Sequence, residues 1–275
     1  EARSKRRRPG LDDKVLTEWN GLMLASLADA AAALDRSDWL DAAITNGRFL
    51  VDNLRGDDDR WHRSWQADGT PQARHAALAA DHAALIDGFT RLAEATGDGT
   101  WIRHASDVAD TMLDHFWDVD NGGLFSIADD AEQLVARQKD LMDNATPSAN
   151  STAAVALLRL GALAGEARFS NQAEQILRLL GRVIPQAPSA FSNALVAVDL
   201  VAGGITEIVI VGDRPDLVRA VRTHWLPNSV VAWGKPYDSP LWEGRSAGFA
   251  YVCHHYVCQI PVDTVEALLA QLGAD

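Results

Sequence analysis

A chain of 275 residues with 47% apolar content is long enough to bury a substantial core in one or two domains, and 38 acidic against 25 basic side chains leave it at −13 near neutral pH. That acidity excludes a nucleic-acid or anionic-membrane partner of the usual kind, which needs a cationic surface to displace counterions. No apolar run reaches the ~18 residues that span a bilayer, the N-terminus lacks a signal peptide's apolar core, and two cysteines exclude a secreted disulfide framework, so a cytoplasmic protein is expected.

The basic run RSKRRR at residues 3–8 reads as a solvated helix end or a ragged start. Beyond it an internal repeat sets the architecture. An aromatic followed four residues later by alanine opens three amphipathic stretches, at Trp39/Ala43, Trp101/Ala105 and Phe169/Ala173, each after a short polar link: DRSD, GDGT and GEAR. Such links read as tight turns of helical hairpins, and a spacing of 62 and then 68 residues suits a hairpin plus one long loop.

The helix before each link differs from the one after it. Residues 19–34, 78–95, 151–164 and 190–202 are apolar or small almost all round, the pattern of helices buried on every side. Residues 38–54, 100–117 and 168–183 carry an apolar stripe opposite charges, as in Phe169, Ala173, Ile176, Leu177 and Leu180 against Glu174, Arg178 and Arg182. Buried helices alternating with half-exposed ones predict two concentric layers, an (α/α) toroid, over residues 1–204. The long connections 55–77 and 118–147 lead back to inner helices, and WHRSW and GGLFSI within them look strand-like.

After residue 205 the pattern changes. EIVIV (207–211), SVVAW (229–233) and FAYVC (249–253) predict strands and 215–224 and 263–272 predict helices, a small α/β cap over 205–275. The lone glycine after EIVIV reads as a tight strand–helix turn. In CHHYVC the odd separation of Cys253 and Cys258 would place them on opposite faces of a continuous strand, so packed thiols are expected, with a metal site and a redox-active pair as the competing readings and no mutual disulfide under reducing conditions.

Inner-helix N-termini expose unpaired N–H groups and a positive dipole end, and side chains there share one polar basin. The candidates are Asp12, Asp13, Lys14, Glu18, Trp19 and Asn20; His75, Asp81 and His82; Asp143, Asn144, Ser148, Asn150 and Ser151; and Ser189, Ser192 and Asn193. Carboxylates, amides, a histidine and an indole are the equipment of a sugar site. Asp81 or His82 is the expected acid/base, Trp19 the ring platform, and Asn20 and Asn150 the hydroxyl ligands, with Asp13, Asp143 and Ser148 also binding substrate. No cofactor and no metal is expected. The competing readings are helix caps for Asp12, Asp13, Ser148 and Ser151, and a core indole for Trp19.

Several stretches in one order carry a resemblance: EARSKRRRPGLDDKVLTEWNGLMLASLA, LAADHAALIDGFTRLAEATGD with WIRHA, GGLF, DNATPSANSTAAVALLRL, and EIVIVGD with AYVCHHYVCQIPVD. Together they resemble the spermatogenesis-associated protein 20 family over essentially the whole chain. The resemblance implies a thioredoxin-like domain followed by a six-hairpin toroid related to N-acylglucosamine 2-epimerases and six-hairpin glycosidases, of which this chain looks like the C-terminal part. The family usually has Asp-Tyr where this chain has Asp81-His82. It implies a carbohydrate-binding or carbohydrate-processing toroid, with a non-catalytic scaffold serving the thioredoxin-like domain as the alternative. About seven helices fall short of six hairpins, so an incomplete ring is expected, with an apolar flank at residues 15–35 around Leu22 and Leu27 that needs a missing segment or self-association to cover it.

Overall fold

The polar links turn the chain where the sequence places them, and hairpins of unequal helices result. In the computed structural model, which describes residues 2–8, 10–67, 70–132 and 135–274, a short strand β1 (Val15–Leu16) leads into α1 (Thr17–Ala33), and α2 (Ser37–Leu54) returns beside it. Strands β2 (His62–Gln66) and β3 (Gln72–Ala76) form an antiparallel hairpin, with β1 pairing on β2 so that Leu16 lies opposite Ser64. Helices α3 (Ala79–Thr96) and α4 (Thr100–Phe116), α5 (Ala149–Ala164) and α6 (Ala167–Leu180), and finally α7 (Ser192–Gly203) follow.

The inner helices pack in the order α1, α3, α5, α7, with α2, α4 and α6 outside them. On α6 the predicted stripe is the buried one, through Phe169, Ala173, Ile176 and Leu180. Helices α1 and α3 approach so closely that a Cβ at Gly21 would sit 2.8 Å from the Ala84 carbonyl carbon, and one at Gly88 would sit 2.9 Å from the Gly21 oxygen. Glycine is what permits that crossing.

The expectation of inner helices buried on every side holds for α3 and α5 only. From Ala149 to Leu163 every residue of α5 is buried, whereas α1 exposes Trp19 and Met23, and α7 exposes Leu195, Val196, Val198 and Val201. The cause is position: α3 and α5 each have an inner helix on both flanks, while α1 and α7 end the row and form no packed pair. The helices therefore make an open arc. Leu22 and Leu27 are half-buried, and the exposed apolar surface lies at both ends of the arc, not only around residues 15–35.

The remainder forms a second sheet. Strands β4 (Thr206–Ile210), β5 (Ser229–Trp233), β6 (Ala250–His254) and β7 (Val257–Cys258) stand in the order β5-β4-β6-β7, with α8 (Pro215–Arg222) crossing between the parallel pair β4 and β5, and α9 (Val265–Leu272) ending the chain. Its two faces are both apolar, as a sheet covered on both sides requires. Val209, Val230, Ala232, Tyr251 and Cys253 join the core of the helical arc, while Ile208, Ile210, Ala250 and Val252 pack with Leu217, Val221 and Leu268 of α8 and α9.

Two local expectations need correction. GGLFSI forms no strand: Leu124 makes a single bridge to Trp117, and the segment is held by side chains, because the Asn150 amide accepts from the Leu124 N–H at 2.7 Å and donates to the Leu124 oxygen at 3.0 Å. CHHYVC is no continuous strand either. His255 and Tyr256 both take positive φ, 50° and 63°, the backbone of a two-residue hairpin turn, and Cys253 pairs directly with Cys258 across it. An odd separation through a two-residue turn puts both side chains on one face, and the two cysteines are joined by a disulfide.

Candidate functional site

The N-terminal ends of the inner helices are tied together by carboxylates that cap two helices at once. Asp81, at the third position of α3, accepts from the Leu78 N–H at 2.7 Å, closing its own helix, and from the Glu18 N–H at 2.9 Å, closing α1. Helix α1 has no side-chain cap of its own. Asp143, in the loop before α5, likewise accepts from the N–H groups of Ser148 at 2.9 Å and Asn193 at 2.8 Å, linking the starts of α5 and α7. Free helical N–H groups beside a positive dipole end make each carboxylate favourable there.

Arg63 completes the basin from outside the helices. The β2–β3 hairpin carries it over the start of α3, where its guanidinium lies 3.0 Å from Asp81 and 3.7 Å from Glu18. Glu18 is held above the usual carboxylate range, first by burial and then by the negative charge of Asp81, with Arg63 opposing and Asp140 adding to the rise. Burial also raises Asp81, against the bonds from Leu78, Arg63 and Glu18. Two carboxylates sharing one guanidinium in a half-buried site keep a proton more readily than carboxylates in water do. Trp19, the next residue on α1, is 62% exposed, a flat apolar face open to solvent at the same end of the helix.

The other expected site residues separate from this group. His82 is buried and points the other way: its ring packs on Phe116 at 4.9 Å, and Nδ1 lies 2.9 Å from the Leu78 oxygen. Burial first, then the charge of Arg60, lowers its pKa to about 4, so it is a neutral core histidine, with Nδ1–H donating and Nε2 left without a partner. Asp81 and His82 diverge because adjacent helical residues lie about 100° apart around the axis. Asn150 is fully buried and its amide is spent on Leu124 and the Asp140 oxygen. Trp19, Asp81 and Asn150 thus share no open concave wall, since only the indole is exposed.

Ser148 caps α5, accepting from the Ser151 N–H at 3.1 Å. Asn20 turns its Nδ2 to the Leu16 oxygen, and Asp13 lies exposed on the approach to β1, accepting from Gln66. Arg63 and Asp140 escaped sequence reasoning, because strand pairing and a loop clamp bring them in and no spacing along the chain signals either. Cavities of about 450 Å3, beside Arg103, His104 and Tyr237, and about 400 Å3, at the far ends of α1 and α3 beside Arg159 and Trp225, are lined by none of the expected residues. Among the described residues one cluster, His115, Asp129 and Asp130, has metal-ligand spacing, but Arg60 already pairs with Asp130 and contacts His115. No helix among them is long and apolar enough to cross a membrane.

No protein-family profile matches the chain. Its three-dimensional relatives include cellobiose 2-epimerase from Spirochaeta thermophila (TM-score 0.51, 19% identity, 62% of this chain and 44% of that one), a sugar epimerase from a ruminal bacterium (0.53, 14%, 64% and 46%), and an unsaturated glucuronyl hydrolase specific for heparin (0.50, 23%, 63% and 48%). At such identities these show the fold, a six-hairpin glycosidase-like toroid. Along the sequence the chain is 29% identical to spermatogenesis-associated protein 20 of Homo sapiens and 27% identical to that of Mus musculus, over 95% of its own length and 36% of theirs. The motif resemblance and these matches agree: the chain is similar to spermatogenesis-associated protein 20 and spans about a third of the length of these relatives.

Proposed function

We propose that the chain binds and processes a carbohydrate at the N-terminal basin of its inner helices, with Glu18 as the group that moves a proton, Arg63 and Asp81 setting its affinity for that proton, and Trp19 as the platform for a sugar ring. The observation that carries the reading is Glu18 itself: a carboxylate raised by burial and by a neighbouring carboxylate, in the first turn of the helix that also exposes the Trp19 indole. The exposed Trp19 face is the platform this reading gives a pyranose at that helix end, and a proton-transfer reaction such as epimerisation or isomerisation needs a base of the Glu18 kind. Structural relatives named as sugar epimerases, a mannose isomerase and glycosidases support the substrate class. His82, Ser148 and Asn150 take no substrate role in this reading, because His82 and Asn150 are buried in the packing and Ser148 caps α5.

The test is exchange of solvent deuterium into the carbon-bound positions of a panel of aldoses, N-acylated hexosamines and disaccharides, followed by proton NMR. Incorporation into one sugar, abolished in Glu18→Gln and weakened through binding in Trp19→Ala while both variants melt normally, is the expected result. Absence of binding by every sugar at millimolar concentration sinks the reading. The second reading, a partner-binding scaffold, draws on the apolar sides of α1 and α7 at the ends of the arc. It expects a protein to bind in the same experiments where sugars do not.

A further inference from the structure

We propose that the Cys253–Cys258 bond is an exchangeable, redox-active disulfide whose reduced form is stabilised by Arg245, and that it takes electrons from an external dithiol. The tight turn at His255 and Tyr256 holds the two sulfurs opposite each other with only four residues between them, so the pair closes a very short loop. Closing so short a loop removes little entropy from the unfolded chain, and a purely stabilising role gains least there.

Arg245 supplies the independent observation. Its Nη2 lies 2.8 Å from Cys258 Sγ and 3.6 Å from Cys253 Sγ. The guanidinium is fixed from two other sides: Nε donates to the Leu241 oxygen at 3.1 Å, and the group stacks over the Tyr251 ring at 4.6 Å. Among the described residues no carboxylate forms a salt bridge with it. An arginine with no anion of its own, held against two sulfurs, is placed to stabilise the thiolate that appears when the bond opens, since a neighbouring cation lowers a thiol's pKa.

The two sulfurs are unequal. Cys253 is fully buried against the core of the helical arc, whereas Cys258 is partly exposed on the edge strand β7, between the exposed side chains of Val257 and Gln259. Attack therefore falls on Cys258. The external thiolate forms a bond to Cys258 Sγ, the Cys253–Cys258 bond breaks, and Cys253 leaves with the electron pair as a thiolate within reach of Arg245. The second thiolate of the external dithiol then attacks its own first sulfur, the mixed disulfide breaks, and Cys258 departs as a thiolate against Nη2. Two electrons and two protons pass from the dithiol, which becomes a disulfide, to the cysteine pair. Glu207, which stands opposite Cys253 in the β4–β6 register and is held above the usual carboxylate range by burial, is placed to return a proton to the Cys253 sulfur.

The test uses the folded chain without denaturant, equilibrated in graded ratios of reduced to oxidised dithiothreitol at fixed pH, quenched with iodoacetamide and read by peptide mass. The expected result is reversible two-electron titration of the pair while circular dichroism stays native, with Cys258 alkylated before Cys253. Arg245→Gln is expected to shift the midpoint toward the disulfide by about tenfold in the reductant ratio, with Arg245→Lys falling between the two. A bond that opens only in denaturant overturns the proposal. So does an unchanged midpoint in a folded Arg245→Gln variant, which would make Arg245 a packing residue.

Discussion

Helices α3 and α1 have nearly the same kind of sequence, rich in alanine and leucine, with glycine where they cross, yet α3 is buried almost throughout and α1 exposes Trp19 and Met23. The same contrast separates α5 from α7, which leaves four valine and leucine side chains partly open. Burial of an inner helix is therefore set by how many neighbours flank it, and composition only makes burial affordable when neighbours are present. The central helices carry the stability and the end helices carry the open surfaces. That division predicts how unequal similar substitutions must be.

The largest effect is expected at the centre. Phe89 is fully buried and packed on every side, stacking at 5.6 Å on Trp101 and meeting Trp61 at 6.0 Å. Phe89→Ala should cost about 3–5 kcal/mol, the range for emptying an aromatic site that cannot collapse, read from urea unfolding midpoints. A cost below about 1 kcal/mol would mean the arc repacks and the centre is no more rigid than its ends.

His82, on the same central helix, adds a pH signature. Its folded pKa is depressed to about 4 from 6.5. A depressed group contributes stability that is present above its unfolded pKa and lost as pH falls through the folded one, so the loss runs from about pH 6.5 down to pH 4. Protonation would place a charge against Phe116 near Arg60 and His115, and the full loss is up to about 3 kcal/mol. Unfolding free energies measured at pH 7.5 and pH 5 should differ by about 2 kcal/mol more in the native chain than in His82→Gln. Equal differences in the two proteins would place that histidine in water.

Asn150 tests the centre through polarity instead of volume. Asn150→Ala strands the Leu124 N–H and oxygen and the Asp140 oxygen, and buried orphans of this kind cost about 1–3 kcal/mol. Hydrogen exchange should also speed up across residues 118–131 before global unfolding, because Asn150 is what fixes that loop. Protection that stays unchanged would assign the loop's order to the Lys139–Asp118 pair alone.

Much of this was legible in the sequence. Helix limits, the inner and outer alternation and the βαβ unit follow from periodicity and punctuation, which act locally. What was not legible depends on contacts between distant segments. Asp81 caps α1, sixty-three residues away, and Arg63 reaches it only through strand pairing. His82 looked like a partner of Asp81 because they are adjacent, but helical geometry sends adjacent side chains apart. Cys253 and Cys258 share a face because parity on a strand reverses its meaning once a two-residue turn intervenes.

The smallest effect is expected at the end of the arc. Val198 on α7 is 39% exposed and Met23 on α1 is 56% exposed, and neither belongs to the buried core. Replacing each with serine removes apolar area that folding leaves largely in water, so the hydrophobic term barely changes. In an isolated chain that stays monomeric, Val198→Ser and Met23→Ser should each change unfolding free energy by no more than about 0.5 kcal/mol, well below the cost of Phe89→Ala. If instead either variant loses about 2 kcal/mol and the loss deepens with protein concentration, the end helices are covered by a second molecule, because only association couples stability to concentration. Urea melts at two concentrations a hundredfold apart separate these outcomes: coincident curves leave α1 and α7 as open ends of the arc, and diverging curves make them an interface.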